Sequence, residues 1–132
     1  MGKPAAKKDD QITALDTHIV MVPSAGGPVP TPLPHPFAGK LDGKLSSDVN
    51  IMGKPAATVD STASNSPAHI QTPPGTSFQK PPGNKATIKM GSATVFINGK
   101  QAARSGDTAM TCNDPEDSPV GKIVASGTVL IG

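Results

Sequence analysis

An all-β fold is predicted for this chain, a small, loop-rich cone of short β-hairpins, on three observations. Glycine and proline supply 14 and 15 of its 132 residues, which interrupts helices throughout. Short stretches alternate apolar and polar residues and then run into glycine, the pattern of brief strands between tight turns. One strand–glycine–lysine–alanine unit also recurs along the sequence, so the fold is expected to carry pseudo-threefold repeats.

Taken in order, residues 3–12 support no more than a frayed turn around Pro4. From Pro23 to Pro36 the prolines alternate with other residues, which forbids helix and central strand and favours an extended polyproline loop. Within it, His35 lies between Pro34 and Pro36, where its backbone is restricted. Leu41-Asp42-Gly43-Lys44-Leu45 centres on an Asp-Gly turn, and residues 48–53 and 87–91 alternate up to a glycine. Ala93, Val95 and Ile97 share one strand face that meets Asn98-Gly99, a strong hairpin-turn signal. Residues 123–131 read as a final hairpin. Gly53, Gly99 and Gly127 are expected in turns at positive φ.

The hexapeptide Met1-Gly2-Lys3-Pro4-Ala5-Ala6 recurs unchanged at residues 52–57. A third version, Asn98-Gly99-Lys100-Gln101-Ala102-Ala103, follows 46 residues later. The strand before it, Thr94-Val95-Phe96-Ile97, has a counterpart in Thr128-Val129-Leu130-Ile131. The chain is therefore expected to begin and end within one repeat, and the paired alanines to lie where hairpins converge.

Leu, Ile, Val and Phe contribute only about a fifth of the residues, so the core is thin and needs a staple or a partner. A single domain over residues 1–132 is expected, with the proline-rich loop 23–36 inside it and no fused effector. Net charge is +2, Trp and Tyr are absent and only three Phe occur. Neither a basic stripe nor a set of stacking rings is available, which excludes nucleic acid as a partner. The longest aliphatic run, Ile19-Val20-Met21-Val22, is too short to span a bilayer. The N-terminus lacks the apolar segment of a secretory signal, so synthesis in the cytoplasm is expected. With Cys112 alone, no internal disulfide can form.

The soft donors are His18, His35, His69 and Cys112, spaced by 17, 34 and 43 residues. Together they suit a closed tetrahedral zinc site. The same residues also read as surface histidines and a buried apolar cysteine. A third reading is a small hydrolase or toxin with Cys112 as nucleophile and a histidine base oriented by Asp107 or Asp114. Against it, residues 110–115 form a turn with no helix start to activate the thiol. A disordered Pro/Gly-rich adaptor that folds on a partner is the remaining alternative.

Gly53-Lys54-Pro55-Ala56-Ala57, Asn98-Gly99-Lys100-Gln101-Ala102-Ala103-Arg104-Ser105-Gly106-Asp107 and the later Cys112 resemble the PAAR-repeat family. These are spike-tip proteins of bacterial contractile injection systems, both type VI secretion and extracellular phage-tail-like systems. The signature is incomplete: Thr58 replaces arginine in one copy and Gln101 replaces proline in another. The proline-rich stretch is similar to that of a PAAR-like subgroup. The resemblance implies a cone, monomeric alone, whose base caps a trimeric β-helical spike with one tip per trimer. It also implies an apex closed by one structural zinc on His18, His35, His69 and Cys112, and no catalysis. The tip would sharpen the spike and contact the target membrane transiently, with effector or cargo proteins as further partners. It would be assembled in the apparatus and delivered to the extracellular space or the target cell.

Overall fold

The computed structural model describes residues 2–132, and Met1, the first residue of the N-terminal repeat, lies outside them. Thirteen strands occur and no helix among the described residues. They are β1 (Lys3–Pro4), β2 (Gln11–Val22), β3 (Val29–Gly43), β4 (Asn50–Ile51), β5 (Lys54–Pro55), β6 (Thr62–Asn65) and β7 (Ser77–Phe78). The rest are β8 (Lys85–Ile88), β9 (Phe96–Ile97), β10 (Lys100–Gln101), β11 (Thr108–Thr111), β12 (Ser118–Val124) and β13 (Leu130–Ile131).

Six strands form a closed barrel in the order β12-β11-β8-β6-β3-β2, with β12 pairing back onto β2. β7 adds to the far end of β2 through Val20 and Met21. Apart from the barrel there are three separate two-stranded sheets, the hairpins β4/β5 and β9/β10 and the pairing of β1 with β13. Their registers match: Lys3 faces Ile131, Lys54 faces Ile51 and Lys100 faces Ile97. The expected all-β, pseudo-threefold architecture is what the chain adopts, and one repeat is assembled from the two ends of the sequence.

A ring of backbone hydrogen bonds shows why alanine pairs recur. Ala6 donates to Ala103 at 2.9 Å, Ala103 to Ala57 at 3.1 Å, and Ala57 to Ala6 at 3.0 Å. A second ring repeats the pattern one step out, with Lys8 donating to Pro55, Val59 to Gln101 and Ser105 to Pro4, each at 2.9 Å. Three segments can meet head-to-tail only if their side chains are minimal. Ala6, Ala57 and Ala103 accordingly are fully buried and face Ile12, Phe37, Leu41, Ile88 and Ile123 in the barrel. Their neighbours Ala5, Ala56 and Ala102 face the other way, onto Ile51, Ile97 and Ile131. The thin apolar content is thus divided into two small layers about one axis.

The turns carry the same symmetry. Asp9, Asp60 and Gly106 all hold positive φ. The amides of Lys7, Thr58 and Arg104 donate to Asp10, Ser61 and Asp107 side chains at 3.1, 3.0 and 2.8 Å. Thr58, at the position that Lys7 and Arg104 hold in the other two repeats, therefore keeps the backbone turn while giving up the ion pairs of Lys7–Asp10 and Arg104–Asp107. Gly53 and Gly99 close their hairpins at φ of 81° and 77°, and Gly127 also has positive φ.

Three local expectations are corrected. Residues 123–131 form no hairpin: Val124 ends β12 in the barrel, whereas β13 crosses to the base and pairs with β1. Asp42-Gly43 makes no hairpin turn but finishes β3, with positive φ following at Lys44. Only residues 23–28 of the proline-rich stretch are loop, because β3 pairs continuously with β2 from Val29 onward.

The prolines fit that strand by parity. Thr17, Ile19 and Met21 of β2 direct their carbonyls away from β3, toward Asp114, Gln79 and Thr76. Their partners across the ladder are Pro34, Pro32 and Pro30. Each proline therefore occupies a position whose N–H would face outward, so the inner ladder loses nothing and the edge carries no donors. Replacing Pro30 and Pro32, both exposed, with Val restores two edge donors. The variant is expected to self-associate with rising concentration in sedimentation analysis; a monomer indistinguishable from the parent would contradict this role.

Candidate metal centre

Inward-facing residues of β2 are Ile12, Asp16, His18 and Val20, all buried at alternate positions. Two polar side chains thus stand where a strand ordinarily places aliphatic ones. His35 enters from β3, two residues from Phe37 on the same face, and Cys112 directly follows β11. His69 comes from the loop after β6, where its amide donates to Asn84 Oδ1 at 2.8 Å. The 112–114 segment is fastened along β2: Thr17 N–H donates to Asn113 Oδ1 at 2.6 Å and Ile19 N–H to Asp114 Oδ2 at 2.8 Å.

These elements bring Asp16, His18, His69 and Cys112 together, with one ligand atom of each within 4.8 Å of the others. Cys112 Sγ lies 3.6 Å from His18 Nε2 and 3.4 Å from Asp16 Oδ2, and His69 Nε2 is 2.9 Å from the same oxygen. His35 borders this group, its ring centroid 5.3 Å from that of His18 and 5.7 Å from that of His69. Its Nδ1 bonds the Leu33 carbonyl at 2.9 Å and its Nε2 accepts the Thr72 amide at 3.2 Å. Phe78 of β7 and Phe37 pack beside the imidazoles and make the surroundings apolar.

The donor set fits a metal ion on three counts. Imidazole nitrogens, a thiol and a carboxylate converge in a space where Asp16 is fully buried and the side chains of His18 and Asp114 are almost so. His18 Nδ1 has no hydrogen-bond partner, although Asp114 Oδ2 stands 3.6 Å away. Among the described residues, no Lys or Arg pairs with Asp16 or Asp114; their ionic partners are His69 and His18. Buried carboxylates without a cation are costly, and a bound divalent ion supplies one.

Burial holds His18 below the usual imidazole range, and neighbouring His69 adds to this; burial does the same for His35. The neutral ring is the metal-ligating form. Burial, reinforced by Asp16, pushes the Cys112 thiol up to about 11, while amides of Asn84 and Lys85 act in the opposite sense. Without metal, Cys112 is a protonated thiol at neutral pH and a poor nucleophile. In chelator at pH 7, its alkylation by iodoacetamide is expected to run at least about tenfold slower than that of a free cysteine. Equal rates would show an activated thiol instead.

Sequence reasoning missed Asp16 as part of this group. Its signal is the Asp16-Thr17-His18 spacing, which puts both side chains on one strand face. A search of curated proteins found no match to the chain. The PAAR motif family model, in contrast, matches residues 1–115, spanning the alanine rings, the three histidines and Cys112. The chain belongs to the PAAR motif family, which indicates a spike-tip-type protein of contractile injection systems.

Proposed function

We propose that the protein is a structural, non-catalytic tip that caps and sharpens the trimeric β-helical spike of a contractile injection apparatus and aids piercing of the target membrane. The observation that carries this reading is the set of three equivalent two-stranded units around one axis. Each is only two strands wide, so each offers an unpaired edge. Phe96 and Leu130, at equivalent places in two of them, are more than half exposed, as is Met52 in the third. Open edges beside exposed apolar side chains are a liability in a free monomer and a docking surface in an assembly. A homotrimer presents three identical edges, which one chain can meet only by repeating itself.

The apex is closed by one structural zinc ion on His18, His35, His69 and Cys112. Zinc takes such nitrogen and sulfur donors and links β2, β3, β11 and the 66–76 loop without a disulfide. Four protein ligands leave no position for an activated water, so the ion locks the fold rather than driving hydrolysis. The chain is made in the bacterial cytoplasm, is monomeric alone, and leaves with the spike for the extracellular space or the target cell, with effector or cargo proteins as additional partners.

Co-expression with the cognate spike protein tests the reading. Native mass spectrometry is expected to give one tip per spike trimer. Three tips per trimer, or no complex, would overturn it.

A further inference from the structure

Where Thr58 departs from the other two repeats, the surface opens. Lys7 Nζ folds back to donate to Asp10 at 3.0 Å and to the Ser126 carbonyl at 2.8 Å. Arg104 donates to Asp107 at 2.9 Å, to the Gly132 carbonyl at 3.1 Å and to the Gly91 carbonyl at 3.5 Å. In the remaining repeat the corresponding pair is Thr58 and Ser61, both too short to cross the same space. Thr58 turns its hydroxyl to the Val59 carbonyl at 3.3 Å, and Ser61 donates its own to the Lys44 carbonyl at 2.8 Å. The result is a notch of about 300 Å³ lined by Thr58, the 44–48 segment, Asn98 and Lys100.

Backbone bonding fixes the correspondence between the segments. Ala5, Ala56 and Ala102 donate to the carbonyls of Val129, Val49 and Val95, each three residues after a serine: Ser126, Ser46 and Ser92. Ser46 therefore matches Ser126, and Leu45 matches Gly91. Their carbonyls stand where Lys7 and Arg104 find acceptors, yet among the described residues neither receives a hydrogen bond. Lys100 on the rim pairs with Asp60 at 3.6 Å, and Asp48 accepts from Asn98 Nδ2 at 2.8 Å. With Lys44, the opening thus carries two cations against two carboxylates, and its free carbonyls call for a donor. A guanidinium, with five N–H donors in a planar fork and no acceptor, suits two adjacent carbonyls beside a carboxylate. We infer that this notch receives an arginine side chain of a cargo protein bound once per tip. A threefold spike is the wrong source, because three equivalent arginines would set two of them against Lys7 and Arg104, which already fill the matching places. The cargo partner rests on the spike-tip reading above; the chemistry of the notch does not.

Ethylguanidinium, the head group of an arginine side chain, is the probe, titrated into the isotope-labelled full-length chain. Saturable carbon shifts are expected at the Leu45 and Ser46 carbonyls and none at Gly91 and Ser126, whose places are filled. Tetramethylammonium at the same concentrations brings the charge without N–H donors and is expected to move neither. No shift at Leu45 and Ser46, equal shifts with the two cations, or equal shifts at Gly91 and Ser126 would overturn the proposal. Thr58→Arg combined with Ser61→Asp rebuilds the third cation–carboxylate pair and is expected to abolish the response; an unchanged response would count against the notch as well. If that variant does not fold, the comparison of the two cations on the parent chain decides alone. A tip that binds ethylguanidinium as expected but forms no complex with the spike contradicts the spike-tip reading, whereas a spike-bound tip with an inert notch contradicts only this inference.

Discussion

Cys112→Ser is expected to lose stoichiometric metal and to destabilise the fold by about 3 kcal/mol or more, since structural zinc contributes its binding free energy to folding. For a domain of this size that is roughly 10 °C in melting temperature. The reasons are local. Cys112 is buried within 3.6 Å of His18 Nε2 and 3.4 Å of Asp16 Oδ2, so its loss removes the one sulfur donor. A serine hydroxyl is smaller and a poorer zinc ligand. The parent chain in chelator should fall close to the variant, and docking on the spike should recover part of the loss, because a partner that binds only the folded state stabilises it. Parent and variant melting together, with and without chelator, would show that no ion supports the fold.

The second large effect is expected at the axis. Ala57→Leu puts three extra carbons at a fully buried position whose backbone bonds both Ala6 and Ala103. Overfilling a packed site commonly costs about 1–3 kcal/mol. Here the three segments cannot separate without breaking the hydrogen-bond ring, so a loss at or above the top of that range, or failure to fold, is expected. Ile70→Leu, on a largely exposed side chain, is the matched control and should be neutral. Comparable denaturation midpoints for the two variants would mean that the alanines serve something other than close approach.

What the sequence made legible was local. Met52-Gly53 and Asn98-Gly99 close hairpins because two residues with positive φ suffice, and the repeated hexapeptide marked the axis because the same steric demand recurs three times. β13 was misread as half of a terminal hairpin because its partner, β1, lies at the other end of the chain. No local pattern encodes that pairing. β2 escaped notice since Asp16 and His18 occupy inward positions that a strand period assigns to aliphatic residues. In β3, prolines disguised an edge strand as a loop; only the ladder parity shows that their missing N–H groups all point outward. The three histidines and Cys112 stood out as the scarce soft donors, of which the structure brings His18, His69 and Cys112 into one group and leaves His35 beside it. Asp16, one of ten acids, could not be named by scarcity; only its two-residue spacing from His18, once β2 is read as a strand, marks it.

The metal content of the purified protein tests the central claim most directly. Native mass spectrometry of the chain, isolated without added metal or chelator, is expected to show one zinc ion per monomer, retained through dialysis and absent from Cys112→Ser. A folded parent chain carrying no tightly held metal would contradict the account of a metal-locked spike tip.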